Sequence, residues 1–168
     1  LRDPFEAQHV GSWLADCGVV LVVELPLRSS KLDGVVFLVS GSPVIGLTTR
    51  GNRFDSFVFT LLHEVAHLVL GHASEEMVQV DEDYVGGSVE GALEFKANDL
   101  ASSWIFPGGL KVAEPVTTSR ILEAAETFSV HPSVVVGRLQ WDGRLDWNQY
   151  RNRIPRIRPL LPNLGEVG

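Results

Sequence analysis

Two histidines and a glutamate within residues 63–67 are the side chains in this sequence best suited to metal chemistry. His63 and His67 are four residues apart, so they lie on one face of an α-helix, about one turn from each other. In that position both imidazoles can bind a single Zn²⁺. Glu64 lies beside them, where it can take a proton from the attacking water. The H-E-x-x-H spacing therefore predicts a catalytic zinc site; the alternative is a core helix with two hydrogen-bonded histidines.

A catalytic zinc needs a third protein ligand, and the residues after this helix do not match the metzincin pattern that would supply one. That pattern requires a glycine at position 70 and a histidine at position 73. The chain instead has Leu70, Gly71, His72 and Ala73. We interpret Gly71 as the end of the helix, since glycine tolerates the left-handed conformation found there. His72 then follows the helix as a loop or pocket-lining residue.

The next predicted helix, residues 92–106, carries a better candidate for the third ligand. Glu94 lies in its first turn and could complete a His-His-Glu site. Asn98 is one turn further along the same face and could hold the free ring N–H of a ligating histidine. Ala97 and Ala101 are small, so this helix can approach another helix closely. The alternative is that Glu94 is an exposed acid that interacts favourably with the helix dipole.

The two segments together resemble the ImmA/IrrE family of metallopeptidases. That family carries H-E-x-A-H-x-x-x-G-H followed by E-x-x-A-N-x-F-A-x-x-L-L-M-P, and this chain resembles these motifs at residues 63–72 and 94–107. Two separated motifs in the right order are specific, and the resemblance extends over about residues 5–145. Leu100 stands where the family usually has phenylalanine, and Phe106 where it usually has methionine.

The resemblance implies an α+β zincin-like domain, in which a small twisted sheet packs on the two metal-binding helices and further helices follow towards the C-terminus. It also implies that His63, His67 and Glu94 bind Zn²⁺. Glu64 is then the general base of a zinc-dependent peptidase. Asn98 is expected to support a ligating histidine.

The residue that donates a hydrogen bond to the developing oxyanion is not identified by these motifs. Tyr84, His72 and His131 are the candidates for this role. We expect the substrate to lie extended along an exposed edge of the sheet, where backbone N–H and C=O groups can pair with it.

The rest of the sequence predicts a metallopeptidase domain at residues 1–150 and a Pro/Arg-rich tail at residues 151–168. An amphipathic first helix precedes a β-rich run and a hairpin that turns at residues 40–42. Residues 74–90 are acidic, and we interpret them as a solvated connection, with a lid over the site as the alternative. The predicted elements are helices at 4–17, 54–71, 92–106, 117–128 and 132–141, and strands at 19–25, 35–39 and 44–47.

With 168 residues and 45% hydrophobic content, the chain can bury a sizeable core. Its formal net charge of −7 argues against nonspecific nucleic-acid binding by the domain as a whole. Cys17 is the one cysteine, so an internal disulfide is excluded, and we expect this residue in the core. No leader or membrane-spanning run is apparent, which predicts a cytoplasmic location, and the start at Leu1 suits a piece of a longer protein.

Residues 118–140 resemble a helix-turn-helix in their spacing. A DNA-reading helix is basic and polar, but the second helix here is rich in valine and its one cation is Arg138. We therefore interpret the two helices as a packing pair. Four arginines of the tail could bind a partner or nucleic acid, although a solvated chain end is the usual explanation. They are Arg151, Arg153, Arg156 and Arg158.

The family resemblance also implies a biological role. Members of this family cleave helix-turn-helix transcriptional repressors, and many are fused to or encoded beside such a DNA-binding domain. We therefore expect a zinc endopeptidase acting on a repressor in a stress, mobile-element or toxin–antitoxin-like system. The alternative is a non-proteolytic module that senses a ligand for a larger DNA-binding regulator. The intact Glu64 favours the enzyme, since a pure binding module does not need it.

Overall fold

The computed structural model describes residues 1–26, 28–74 and 89–161, and it confirms the predicted α+β class. None of the helices in these ranges combines the length and apolar character needed to span a membrane. The strands are β1 (Val20–Glu24), β2 (Gly34–Val39) and β3 (Ser42–Thr48). The α-helices are α1 (Val10–Asp16), α2 (Phe54–Val69), α3 (Val89–Ile105), α4 (Thr118–Phe128) and α5 (Pro132–Trp141). Short 3₁₀ turns occupy Pro4–His9, Arg50–Asn52, Arg151–Arg153 and Arg158–Leu160.

The three strands form one sheet in the order β1–β3–β2. β2 and β3 make the predicted antiparallel hairpin, with Val39 opposite Ser42. The two residues between them, Ser40 and Gly41, have φ values of 49° and 77°. Positive φ at both central residues is the geometry of a type I′ turn, which matches the twist of the strands it joins. β1 lies parallel to β3 on its other side, so β2 is an edge of the described sheet.

Helix α2 contacts the sheet, α3 and α5, and thus lies at the centre of the fold. Its apolar positions are buried on several sides, as expected for a helix that is hydrophobic around most of its circumference. Phe54 and Ile45 of β3 are both fully buried in the resulting core. A polar side chain in the middle of α2 therefore has neighbours from other elements rather than bulk water.

Three alanines lie where α2 meets α3. Ala66 of α2 and Ala97 and Ala101 of α3 are all fully buried, and together they form a small cluster. Since the distance between packed helix axes depends on the side chains at the contact, alanines allow a close approach. This contact agrees with the expectation that the helix carrying Glu94 approaches another helix closely.

A buried ion pair fixes the first turn of α2 to α5. The Arg53 guanidinium donates to both carboxylate oxygens of Asp55, at 3.0 and 2.6 Å, and to the amide oxygen of Gln140 at 2.6 Å. Asp55 and Gln140 are both buried. The ring of Trp147 covers the guanidinium, 5.4 Å from its central carbon. Because each buried polar group here has a partner, the network holds α2 in place at a low desolvation cost.

Helices α4 and α5 pack together as the sequence suggested. The turn between them begins at Ser129, whose left-handed conformation (φ 56°) ends α4. Val134, Val135 and Val136 of α5 are all buried, so this helix contributes its valines to the core. A helix that buries these side chains does not present them to a DNA groove, which supports the interpretation of a packing pair.

The segment after residue 150 is part of the packed domain as far as Leu161. Ile157 is only 1% exposed and belongs to the main hydrophobic core. The guanidinium of Arg158 donates to the hydroxyl and the carbonyl of Thr49, both at 3.1 Å. Residues of the predicted Pro/Arg-rich tail therefore contact the packed domain.

Two further expectations about the N-terminal region were wrong. The first helix is divided into a 3₁₀ turn at Pro4–His9 and α1, because Pro4 starts a separate capped turn with Asp3 as its N-cap. Cys17 is exposed rather than buried. It lies at the C-terminal cap of α1, where the chain turns at Gly18 towards β1 and the side chain faces away from the core.

Replacing the buried Ile157 should destabilise the whole domain. We expect Ile157→Ala to lower the free energy of unfolding by about 2–5 kcal/mol, because it removes buried methylenes and leaves a cavity. Chemical denaturation measures this value. Leu122→Ala, at an exposed position on α4, serves as the control and should change it by less than about 1 kcal/mol. Equal and small effects of both changes would show that residues 151–161 do not support the fold.

Candidate metal centre and active site

Helix α2 brings the two histidines to one face. Their rings lie one turn apart, with the Nε2 atoms of His63 and His67 3.0 Å from each other. Both side chains are largely buried, at 13% and 10% exposure. Two imidazole nitrogens this close form a polar pair inside an apolar helix, and such a pair needs a further charged or polar partner.

That partner is Glu94 of α3. One carboxylate oxygen, Oε2, lies 3.0 Å from Nε2 of His63, and the other, Oε1, lies 3.1 Å from Nε2 of His67. The contact between α2 and α3 therefore places the carboxylate across both rings. The side chain is 43% exposed, so this triangle opens to solvent on one side. Glu94 is therefore not simply an exposed acid that interacts with the helix dipole, which was the alternative interpretation.

The three side chains form an arrangement that could hold a metal ion. Their potential ligand atoms all lie within 4.8 Å of one another. Tetrahedral zinc with bonds of about 2.0–2.2 Å places its ligand atoms roughly 3.3–3.6 Å apart. The observed separations of 3.0–3.1 Å are slightly shorter, so the site needs only a small expansion. Two imidazoles and one carboxylate are also the donor set of many catalytic zinc sites.

The charges of this cluster perturb one another. Hydrogen bonds to His63 and His67 hold the pKa of Glu94 well below its usual range, against the opposing effect of partial burial. Burial disfavours the protonated form of His63, but the hydrogen bond to Glu94 and the nearby carboxylate charges outweigh it and raise the pKa of that ring. The pocket thus stabilises positive charge beside Glu94, which is what a site for a cation requires.

Glu64 lies on another side of α2 and is 6% exposed. Burial raises its pKa to about 7, while the charges of His63 and His67 act in the opposite direction. A cation bound at the adjacent cluster would lower this pKa again by favouring the carboxylate. A carboxyl group that changes its protonation state near neutral pH suits a residue that accepts and returns a proton.

His72 contacts the second ring nitrogen of His67. The chain turns back at Gly71 (φ 71°), and the two Nδ1 atoms lie 3.1 Å apart. When Nε2 of a neutral His67 serves as a metal ligand, the ring proton is on Nδ1, and this N–H donates to His72. Burial first, and then the charge of His67, lower the pKa of His72, which favours the neutral ring that can accept this bond.

Asn98 lies beside the other histidine. Its side chain approaches the ring of His63 and contributes to the raised pKa of that residue. Yet Nδ1 of His63 is buried and makes no hydrogen bond of normal geometry to the described residues. We therefore take Asn98 to be near the ring without completing a full hydrogen bond to Nδ1. A small rotation of either side chain is the simplest way to satisfy this atom.

The three candidates for the oxyanion donor are placed very differently. Tyr84 lies outside the described residues. His72 is engaged with His67, as described above. His131 caps α5, with its Nδ1 accepting a hydrogen bond from the Ser133 backbone at 3.2 Å. Its ring packs edge-on against Phe54, nine residues before His63 and about 13 Å away along α2. The structure therefore does not bring His131 to the cluster.

Two features of the site were not apparent from the sequence. One is the contact of His72 with His67. The glycine just before His72, which reverses the chain, could have indicated this contact. The other is Gly34, the first residue of β2, which lies directly over Glu64. Nothing in the local sequence around Gly34 indicates a neighbour thirty positions away.

A comparison with protein families matches this chain to a peptidase family. The model of a peptidase family, described as the IrrE N-terminal-like domain, matches residues 16–140, which is more than half of the chain. The α+β architecture agrees with a zincin-like domain of this kind. A search of curated proteins finds no match. The matched range contains both segments that carry the His-His-Glu cluster.

The contact between His72 and His67 should tune metal affinity. We expect His72→Phe, which keeps an aromatic ring but removes the acceptor, to weaken zinc binding by about 10–100-fold. His72→Asn should retain most of the affinity, because its Oδ1 can take the place of Nδ1. Competition with a chelator of known affinity gives these values, and His9→Phe on the surface is the control. Equal losses for both His72 variants would contradict a hydrogen-bonding role.

Proposed function

The chain belongs to the peptidase family of the IrrE N-terminal-like domain, and we propose that it is a zinc-dependent endopeptidase. The observation that carries this proposal is the convergence of His63, His67 and Glu94 beside the buried Glu64. Three protein ligands with one exposed side leave a position for water or substrate, as catalytic rather than structural zinc sites do.

The roles of the residues follow from their positions. His63 and His67 supply neutral imidazole nitrogens, and Glu94 supplies one carboxylate oxygen from the neighbouring helix. Zinc bound there provides Lewis acidity, which lowers the pKa of water and polarises a carbonyl group. His72 orients the ring of His67 through its contact with Nδ1, and Asn98 lies beside the ring of His63, where a small rotation would let it support that imidazole.

Glu64 performs the proton transfers. Its carboxylate accepts a proton from the water that attacks the peptide carbonyl, and it then returns this proton to the leaving amine. Its burial favours this role, because burial raises the pKa of the Glu64 carboxyl and so opposes the lowering effect of a bound cation. The donor that stabilises the oxyanion is not assigned among the described residues.

We place the substrate strand along β2, at the edge of the sheet. The first residue of β2, Gly34, lies over Glu64, so a peptide paired near it passes close to the proposed base. At the other end of the strand, the backbone N–H of Leu38 already donates to the carbonyl of Ser74 at 2.9 Å. The substrate therefore pairs with the half of β2 that is nearer to Gly34.

The proposed substrate is a protein, and specifically a helix-turn-helix transcriptional repressor. The membership of a peptidase family supports the protein substrate, while the resemblance to ImmA/IrrE proteins supports the repressor. A stress, mobile-element or toxin–antitoxin-like system is the proposed setting, with a fused or adjacent DNA-binding domain as a partner. The buried valines of α5 and the net charge of −7 argue against direct DNA binding by this domain.

Each of the three proposed ligands should be required for zinc binding. We expect one zinc ion per chain, and His63→Ala, His67→Ala and Glu94→Ala should each weaken the affinity sharply, because each leaves only two protein ligands. Asn98→Ala should cause a smaller loss of about 10–100-fold. Metal analysis and chelator competition measure both effects. Full zinc affinity in Glu94→Ala would contradict the ligand assignment.

Removing only the proposed base should separate metal binding from hydrolysis. Glu64→Gln fills the same volume but cannot accept a proton, so zinc binding should persist while peptide cleavage falls by at least about 10²-fold. The assay uses a purified helix-turn-helix repressor encoded beside the gene, with cleavage followed by mass spectrometry. If the zinc-loaded wild-type protein leaves this repressor intact under inducing conditions, the ligand-sensing regulatory module becomes the better account.

A further inference from the structure

Gly34 lies unusually close to the side chains of α2. A Cβ atom built on this glycine would come within 3.0 Å of three heavy atoms, a separation that real Cβ atoms essentially never show. Two of these atoms belong to the Glu64 carboxylate, Oε1 and Cδ, with Cδ at 2.9 Å. The third is Cγ2 of Thr60, at 2.7 Å and one helical turn before Glu64.

Backbone conformation does not explain a glycine at this position. Gly34 is not among the glycines with positive φ, and it pairs with Leu47 of β3 in a regular antiparallel register. In an ordinary strand, glycine weakens the structure relative to alanine, because it loses more conformational freedom and packs no side chain. The close approach of α2, through the Glu64 carboxylate and the Thr60 methyl group, is therefore the property of the fold that requires a glycine here.

We infer that Gly34 is a positioning residue for Glu64, in that the missing side chain provides the space occupied by the carboxylate. The helix cannot retreat to make room, since α2 is packed against α3 and α5. The strand is held by its pairing with β3 along its whole length. A methyl group at position 34 therefore displaces the Glu64 carboxylate, which is at the far end of a longer side chain, and also presses on the Thr60 methyl group. The catalytic part of this inference rests on the proposed peptidase function.

The three proposed metal ligands are not among the three atoms nearest to a Cβ at position 34. Zinc binding is therefore expected to survive Gly34→Ala, whereas proton transfer by Glu64 is not. This separation distinguishes a positioning residue from a residue that merely keeps the domain folded.

The contact itself is tested by thermal unfolding of zinc-saturated proteins. Gly34→Ala should lower the midpoint by about 2–10 °C in the wild-type background, as expected for overpacking by one methyl group. It should cause the same decrease together with Glu64→Gln, which preserves the size of the side chain. Together with Glu64→Ala, which removes the carboxylate, the decrease should be less than half as large. An equal decrease in all three backgrounds overturns the inference.

Gly46→Ala is the matched control in the same sheet. Its added methyl group would meet the Val35 side chain at 3.1 Å and no atom of Glu64. Its effect on the unfolding midpoint should therefore be independent of the residue at position 64. If Gly34→Ala alone prevents folding but the Gly34→Ala/Glu64→Ala double variant folds, the inference stands. If the single variant and the double variant both fail to fold, the inference is wrong.

The catalytic consequence is tested separately, with a peptide that the wild-type protein cleaves. Gly34→Ala should retain zinc affinity within about twofold and lower kcat by at least about 10-fold with little change in KM, as for loss of correct alignment. Full kcat in a folded, zinc-loaded Gly34→Ala protein overturns the positioning role. Absence of cleavage by the wild-type protein contradicts the proposed function instead, and the unfolding experiment still decides whether Gly34 and Glu64 are in contact.

Discussion

The close contact between α2 and α3 is the interaction on which the whole site depends. Ala66, Ala97 and Ala101 leave almost no side-chain volume between the helices. Since Glu94 precedes Ala97 by about one turn, this contact determines whether its carboxylate can reach both imidazoles. A larger side chain at any of the three positions would separate the helices and move the acid away from the histidines. The geometry of the His-His-Glu cluster is therefore set by an apolar contact.

The same arrangement explains why charged groups are tolerated in an apolar helix. His63 and His67 face Glu94, and the Glu64 carboxylate lies against the backbone of β2. Removing one member of such a cluster leaves the others desolvated without a partner. The resulting loss of folding free energy is larger than the net stabilisation that the intact cluster provides. A bound cation would further satisfy the imidazole nitrogens, and metal binding would then be coupled to stability.

The sequence predicted the local features well and the long-range ones poorly. The bounds of α2, α4 and α5 agree with the predicted ones to within two residues, and a motif singled out Glu94, which lies against both histidines. The contact of Gly34 with Glu64 was not predicted, because the two residues lie on different elements and no local pattern records it. Ile157 was assigned to a solvated tail because the surrounding prolines and arginines concealed one buried residue. Cys17 was wrongly expected in the core for a similar reason, since burial depends on tertiary packing.

The central claim is that one zinc ion is held by two histidines of α2 and one glutamate of α3. The most direct measurement is a crystal structure of the zinc-loaded protein with anomalous data at the zinc edge. The account predicts a single strong peak about 2.0–2.2 Å from Nε2 of His63, Nε2 of His67 and one oxygen of Glu94. A peak ligated by His72 in place of Glu94, or zinc bound elsewhere while Glu94 faces solvent, would contradict it.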